Sequence, residues 1–196
     1  MADPLTREEL LDMFRRSGAL LEGHFRLTSG LHSPGYLQCA LVLQIPHQAE
    51  LLGRGLADRT RDLRPTVVLS PALGGIIIGH EVGRALGVRA IFAERQDGAL
   101  TLRRGFIVSE TDRVLVVEDV LTTGASTRET IQVATAAGGR VVGAASIVDR
   151  SGGRVHLDQP LATLIAIDLP VYEPDRCPLC SQGLPVVKPG SRPVAT

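Results

Sequence analysis

Two acids stand side by side in the stretch VLVVEDVLTTGAST, Val114 to Thr127, at the end of an aliphatic run. Adjacent carboxylates repel, and burying them without partners is costly. A metal, a base or the hydroxyls of a sugar would relieve that cost; otherwise Glu118 and Asp119 merely end a strand and cap a loop. The residues that follow favour the chemical reading. Leu121-Thr-Thr-Gly-Ala-Ser126 is small and rich in hydroxyls, and Ser126-Thr-Arg-Glu129 has capping-box spacing, so a helix is expected to start there. A helix N-terminus presents unpaired N–H groups and partial positive charge, which suits an anion. Thr122, Thr123, Ser126 and Thr127 offer hydroxyl donors, and Gly124 allows close backbone approach. Acids for hydroxyls beside an anion cradle describe a pocket for a sugar phosphate. The chain has no Walker-type phosphate loop, so ATP hydrolysis is unsupported.

These residues need a sheet edge to hold them. Thr66–Ser70, Val88–Ala93, Arg113–Val117, Val141–Val148 and Thr163–Ile167 read as short apolar strands. Ile76–Leu86, ending at Gly87, and Thr127–Ala137, stopped by Gly138-Gly139, read as helices between them. Continuously apolar strands alternating with helices imply a parallel sheet covered on both faces, an α/β fold. Ligands of such sheets bind beyond the carboxyl ends of the strands, where Val114–Val117 delivers Glu118 and Asp119. Upstream, Thr6-Arg-Glu-Glu9 is a second capping box, Gly23–Leu43 suggests strands and turns, and residues 47–62 look helical. Ala99–Val108 is either a hairpin or a mobile loop.

The 196 residues are 44% hydrophobic, enough for one sizeable core, and only 3% aromatic, so that core must be aliphatic. Formal net charge is zero, which leaves no electrostatic footprint for nucleic acid. No apolar run approaches the roughly 18 residues of a membrane span. The amphipathic N-terminus does not read as a secretory signal, and three cysteines form no even disulfide framework, so a reduced cytoplasmic setting is expected.

The pattern EDVLTTGAST closely resembles the phosphoribosyl diphosphate (PRPP) motif of type I phosphoribosyltransferases. FRLTSGLHSPGYL (Phe25 to Leu37) resembles the N-terminal segment of the orotate members, and SPALGGIIIG (Ser70 to Gly79) resembles their pyrophosphate-binding loop. Asp149-Arg150 matches their Asp-Arg pair, so the likeness runs from about residue 20 to 150 in consistent order. It implies the type I fold: a central, mainly parallel sheet flanked by helices in one domain over residues 1–169. A small N-terminal hood (about 1–45) and an irregular arm over residues 170–196 complete it. The resemblance implies that Val120, Leu121, Thr122, Thr123, Gly124, Ala125 and Ser126 hold the 5-phosphate of PRPP, with Glu118 and Asp119 on the ribose hydroxyls. Ala72, Leu73 and Gly74 then serve the pyrophosphate. Arg150, a planar fork suited to a carboxylate, takes the orotate with Thr122 and Tyr36. Mg²⁺ is expected with PRPP, met by Asp119 through water, and a homodimer is implied. The alternatives are a purine phosphoribosyltransferase, for which Phe25–Leu37 and Arg150 have no evident use, and a PRPP-sensing regulator that binds RNA.

Some positions depart from the family pattern. Many orotate enzymes carry Lys where this chain has Thr28 and Gly74. Their catalytic loop is lysine-bearing, whereas Ala93–Phe106 has neither Lys nor His, and the only lysine in the chain is Lys188. Arg95, Arg103 and Arg104 are the cations left to clamp pyrophosphate; arginine does not readily release a proton, so electrostatic stabilisation is their expected role. In the tail, Cys177-Pro-Leu-Cys180 offers half of a structural zinc site. A second subunit or His156 would have to complete it, and two reduced thiols are the simpler reading. Cys39 is expected in the core. His24, His32, His47 and His80 show no ligand spacing and are expected to be structural or exposed.

Overall fold

The computed structural model describes residues 5–27 and 29–189, so Thr28 lies outside the described residues. Helix α1 (Arg7–Arg16) opens with the expected capping box: Glu9 N–H donates to Thr6 Oγ1 at 3.2 Å, and Thr6 N–H to Glu9 Oε2 at 2.8 Å. An antiparallel hairpin of β1 (Leu20–Arg26) and β2 (His32–Leu37) follows, then α2 (Ala40–Leu43) and α3 (Pro46–Thr60). The main sheet comprises β3 (Val67–Pro71), β4 (Arg89–Gln96), β5 (Ala99–Leu102), β6 (Arg113–Leu121), β7 (Arg140–Asp149) and β8 (Leu161–Ala166). Helix α4 (Gly75–Leu86) joins β3 to β4, and α5 (Ala125–Ala136) joins β6 to β7. Strand order is β5-β4-β3-β6-β7-β8, with only β5 antiparallel to its neighbour.

From β3 the chain builds outward to one edge, then returns to β6 and builds to the other. The order therefore reverses between β3 and β6, and the crevice at such a reversal is where open α/β sheets bind ligands. Side chains alternate across the strands and both sets are buried. Val68, Leu115 and Val117 pack with α3 and α4, while Val67, Leu69, Val114 and Val116 pack on the α5 side with Ala134.

Helix α4 lies unusually close to the sheet, which explains its glycines. A Cβ on Gly79 would sit 2.0 Å from Ser70 Oγ, and one on Gly83 would sit 2.8 Å from Ala90 Cβ. Their spacing of four places them on one helix face. These two glycines serve packing, while the pyrophosphate-loop likeness accounts for the residues before them.

Residues 93–106 resolve as a hairpin. Asp97 and Gly98 both have positive φ (52° and 88°) between Gln96 and Ala99, the backbone that a two-residue type I′ turn requires. The C-terminal arm, expected to be irregular, folds back on the β1–β2 hairpin. Tyr172 bridges His32 and Val187 bridges Phe25, with α6 (Pro178–Ser181) between them. No helix among the described residues is long and apolar enough to cross a membrane.

Candidate active site

Strand β6 does not stop before the acids but runs through them to Leu121. Because strand side chains alternate, Glu118 and Asp119 point to opposite sides of the sheet edge, which separates their charges. Asp119 faces the start of α4: a Cβ on Gly74 would lie 2.7 Å from its Oδ1. Gly74 thus lets the loop close on the carboxylate, and a residue with a Cβ there would require the Asp119 side chain to shift. Glu118 faces α5, where the Thr127 hydroxyl donates to its Oε2. Burial raises the pKa of both acids; for Glu118 the Thr127 hydrogen bond opposes the rise and the Asp119 charge adds to it. Neither acid forms an ion pair among the described residues.

The turn after β6 differs from the expected capping box. The N-cap of α5 is Gly124, with φ of 74°, and the helix begins at Ala125. Glu129 is drawn away instead, accepting from Leu100 N–H at 2.7 Å and Arg95 Nη2 at 2.8 Å. Thr127 is buried and committed to Glu118, so it is no free donor to an anion. Thr122, Thr123 and Ala125 are exposed at the turn, with Ser126 half-buried and Val120 before them. Leu121 keeps its side chain in the core and its carbonyl accepts from Arg150 N–H at 2.8 Å, so its share in the turn is structural. Arg128 braces the loop by donating to Thr123 O at 2.8 Å.

Arg150 leaves the end of β7 beside this turn. Its guanidinium is half-buried, its Nε is buried without a partner, and no ion pair forms on it among the described residues. The neighbouring Asp149 carboxylate accepts from Ser151 N–H at 2.7 Å and does not neutralise it. Burial lowers the Arg150 pKa, and the Cys39 thiol partly offsets that. Cys39 is buried as expected, yet it feels Asp119, which with burial raises its pKa, and Arg150, which lowers it. No local signal marks Cys39, because tertiary folding alone brings it under the site. Tyr36 lies on β2 with its ring 6.1 Å from Phe25, and no hydrogen bond among the described residues joins it to Arg150.

Ala72, Leu73 and Gly74 form the loop from β3 into α4, with the Ala72–Leu73 peptide cis and Leu73 84% exposed. With Ile76, Phe92, Glu94, Arg95 and Arg104, Ala72 and Leu73 line a cleft of about 510 Å³. Arg104 Nε donates to Glu94 Oε1 at 2.8 Å, Arg103 lies 4.0 Å from the same carboxylate, and Arg95 pairs with Glu129. Arg95 and Arg104 line the cleft while Arg103 does not, and all three cations are engaged by an acid.

The tail corrects two further expectations. His156 does not join Cys177 and Cys180: its carbonyl accepts from Arg128, and the two thiols meet His24 and His32 instead. Those histidines, eight apart in sequence, become neighbours across the hairpin, with His24 Nε2 2.9 Å from His32 Nδ1.

No family model matches the chain. An orotate phosphoribosyltransferase of Caldicellulosiruptor saccharolyticus is 52% identical over 190 residues, covering 97% of this chain and 100% of that protein. One of Heliobacterium modesticaldum is 54% identical over 190 residues, covering 96% and 100%. Among solved structures, Mycobacterium tuberculosis orotate phosphoribosyltransferase in complex with PRPP superposes with a TM-score of 0.66 at 27% identity, covering 82% of this chain and 95% of that one. With half its residues identical along almost its full length, the chain belongs to the orotate phosphoribosyltransferase family.

Proposed function

We propose that Arg150, Asp119 and the Thr122–Ser126 turn carry this chain's transfer of the 5-phosphoribosyl group from PRPP to orotate, giving orotidine 5′-phosphate and pyrophosphate for pyrimidine synthesis. The observation that carries the reading is the half-buried Arg150 guanidinium with its unpartnered Nε. A planar carboxylate satisfies such a fork with two charge-assisted hydrogen bonds. A neutral purine offers acceptor atoms but no negative charge to pair with it.

The backbone and hydroxyls of Thr122–Ser126, at the N-terminus of α5, suit the 5-phosphate. Asp119 then faces the ribose from the α4 side, with Glu118 held from the α5 side by Thr127. The negative charge of orotate sits on its carboxylate, so its ring N–H must still release a proton as the new bond forms. The bond from the anomeric carbon to pyrophosphate breaks with both electrons leaving on oxygen, and the bond from the orotate ring nitrogen to that carbon forms in its place. The proton of that N–H passes to the departing pyrophosphate or to water. Positive charge that develops at that carbon is stabilised by the fixed Asp119 carboxylate. Arg103 and Arg104 stabilise departing negative charge once they exchange Glu94 for it; as arginines they do not donate the proton. Ala72 and Leu73 line the same cleft as Arg104, and Gly74 follows them against Asp119.

Mg²⁺ suits the donors present, because the nearest side-chain groups are carboxylate oxygens without a cationic partner among the described residues. Asp119 would meet it through water, and when bound it offsets pyrophosphate charge. The reading extends to a homodimer, which light scattering at assay concentration tests: a monomer contradicts it. It also extends to the cytoplasm, in keeping with three free cysteines.

The test is PRPP- and Mg²⁺-dependent loss of orotate absorbance, run beside uracil, adenine, guanine and xanthine. Orotate alone should be consumed. Turnover of uracil at a comparable rate, or of a purine, overturns the assignment of Arg150.

A further inference from the structure

The opposite ends of the chain meet at four side chains that the transfer reaction does not use. His24 on β1 and His32 at the start of β2 face Cys177 and Cys180 of the arm, and one ligand atom from each lies within 4.8 Å of every other. We propose that these four residues form a structural zinc site that staples the C-terminal arm to the N-terminal hairpin.

The distances fit a tetrahedral ion. Zinc about 2.0–2.1 Å from nitrogen and 2.3 Å from sulfur places its ligand atoms roughly 3.3–3.8 Å apart. His24 Nε2 lies 3.5 Å from Cys177 Sγ and 3.7 Å from Cys180 Sγ, while His32 Nδ1 lies 3.3 Å from Cys180 Sγ. The two nitrogens, at 2.9 Å, need to part only slightly. Two imidazoles and two thiolates are the donor set of many closed, four-coordinate zinc sites, and the soft sulfurs disfavour Mg²⁺ or Ca²⁺.

The surroundings fix the ligands as a structural site requires. The other ring nitrogen of His24, Nδ1, is 2.8 Å from Leu184 O and so carries the hydrogen, which leaves Nε2 with its lone pair toward the sulfurs. His24, His32 and Cys177 are buried and Cys180 is exposed; four protein ligands fill a tetrahedral zinc, so no position stays open for a substrate. Backbone bridges flank the cluster on both sides: His32 N–H donates to Tyr172 O at 2.9 Å, and Val187 N–H to His24 O at 2.8 Å. Cys177 and Cys180 lie between those bridges, at the start of and within α6. The arm buries little of its apolar area, leaving Val171, Leu184, Val186 and Val187 exposed. A metal cross-link is the element that would hold it, since binding energy at such a site is folding energy.

The test measures metal in untagged chain purified under reducing conditions and reconstituted with zinc, excess then removed. Elemental analysis should report about one zinc per chain, falling to none in Cys177→Ser/Cys180→Ser. Cobalt(II) on the wild type is the second readout, independent of any variant's folding: it should show tetrahedral d–d bands with thiolate-to-metal charge transfer. Chelation should also speed proteolysis within residues 170–189 ahead of the rest. Less than a tenth of an equivalent of zinc after reconstitution, a different metal retained at stoichiometry, or a cobalt spectrum without thiolate bands overturns the proposal.

Discussion

Replacing Arg150 separates recognition of the base from binding of the sugar phosphate. Its guanidinium is half-buried, its Nε has no partner, and the adjacent Asp149 is committed to Ser151 N–H. On the proposed reading, the orotate carboxylate supplies the missing acceptor. Each hydrogen bond to a charged group contributes about 1.5–3 kcal/mol. Arg150→Lys keeps the charge but loses the fork, so one such bond is lost and KM for orotate should rise about 10- to 150-fold. Arg150→Met loses both bonds, about 3–6 kcal/mol, which takes orotate beyond practical saturation. In both variants KM for PRPP should change less than about threefold, because the turn proposed to hold the phosphate keeps its own contacts. Arg150→Met should also melt no lower than the wild type, since it removes a half-buried unpaired charge. Steady-state ultraviolet assays with each substrate varied in turn give both constants. An unchanged orotate KM in either variant, or equal losses for both substrates, refutes the reasoning.

Burial raises the carboxyl pKa of Asp119 above its ordinary 3.8 and of Glu118 above 4.5. The folded chain then keeps protons that the unfolded chain has lost, so ligand-free stability should fall as pH rises from those ordinary values through the raised ones. Asp119→Asn should flatten that fall and melt higher than wild type at neutral pH while kcat drops at least tenfold; a lower melting point with full kcat contradicts this. Glu94→Gln releases Arg103 and Arg104 from their shared carboxylate, so KM for PRPP should fall by up to about fivefold. A rise in that KM would show that Glu94 positions the arginines rather than competing with PRPP. Gly79→Ala sets a Cβ 2.0 Å from Ser70 Oγ, and denaturant unfolding should show a loss of about 1–3 kcal/mol. A stabilised variant would show that α4 moves freely over β3.

The strands of the sheet were legible because burial on both faces makes them continuous aliphatic runs, as in Val67–Leu69 and Val114–Val117. The acids and the turn were legible as chemistry. Their directions were not, because β6 runs through Glu118 and Asp119 and alternation then sends them apart. The capping box at Ser126 failed for a tertiary reason: Arg95 and the Leu100 N–H, both distant in sequence, claim Glu129. The Thr6 box formed because its partners lie within one helical turn and nothing competes for them. The pairing of His24 and His32 depends on hairpin register, and their meeting with Cys177 and Cys180 depends on how the arm returns. No spacing rule within a segment encodes either.

The most direct test of the site is a crystal structure with orotidine 5′-phosphate, a product that is inert without pyrophosphate. The account predicts the base carboxylate within hydrogen-bond distance of the Arg150 guanidinium. It places the 5-phosphate on the Thr122–Ser126 turn and the ribose hydroxyls at Asp119 and Glu118. A carboxylate held elsewhere, with Arg150 still unpaired, would contradict it.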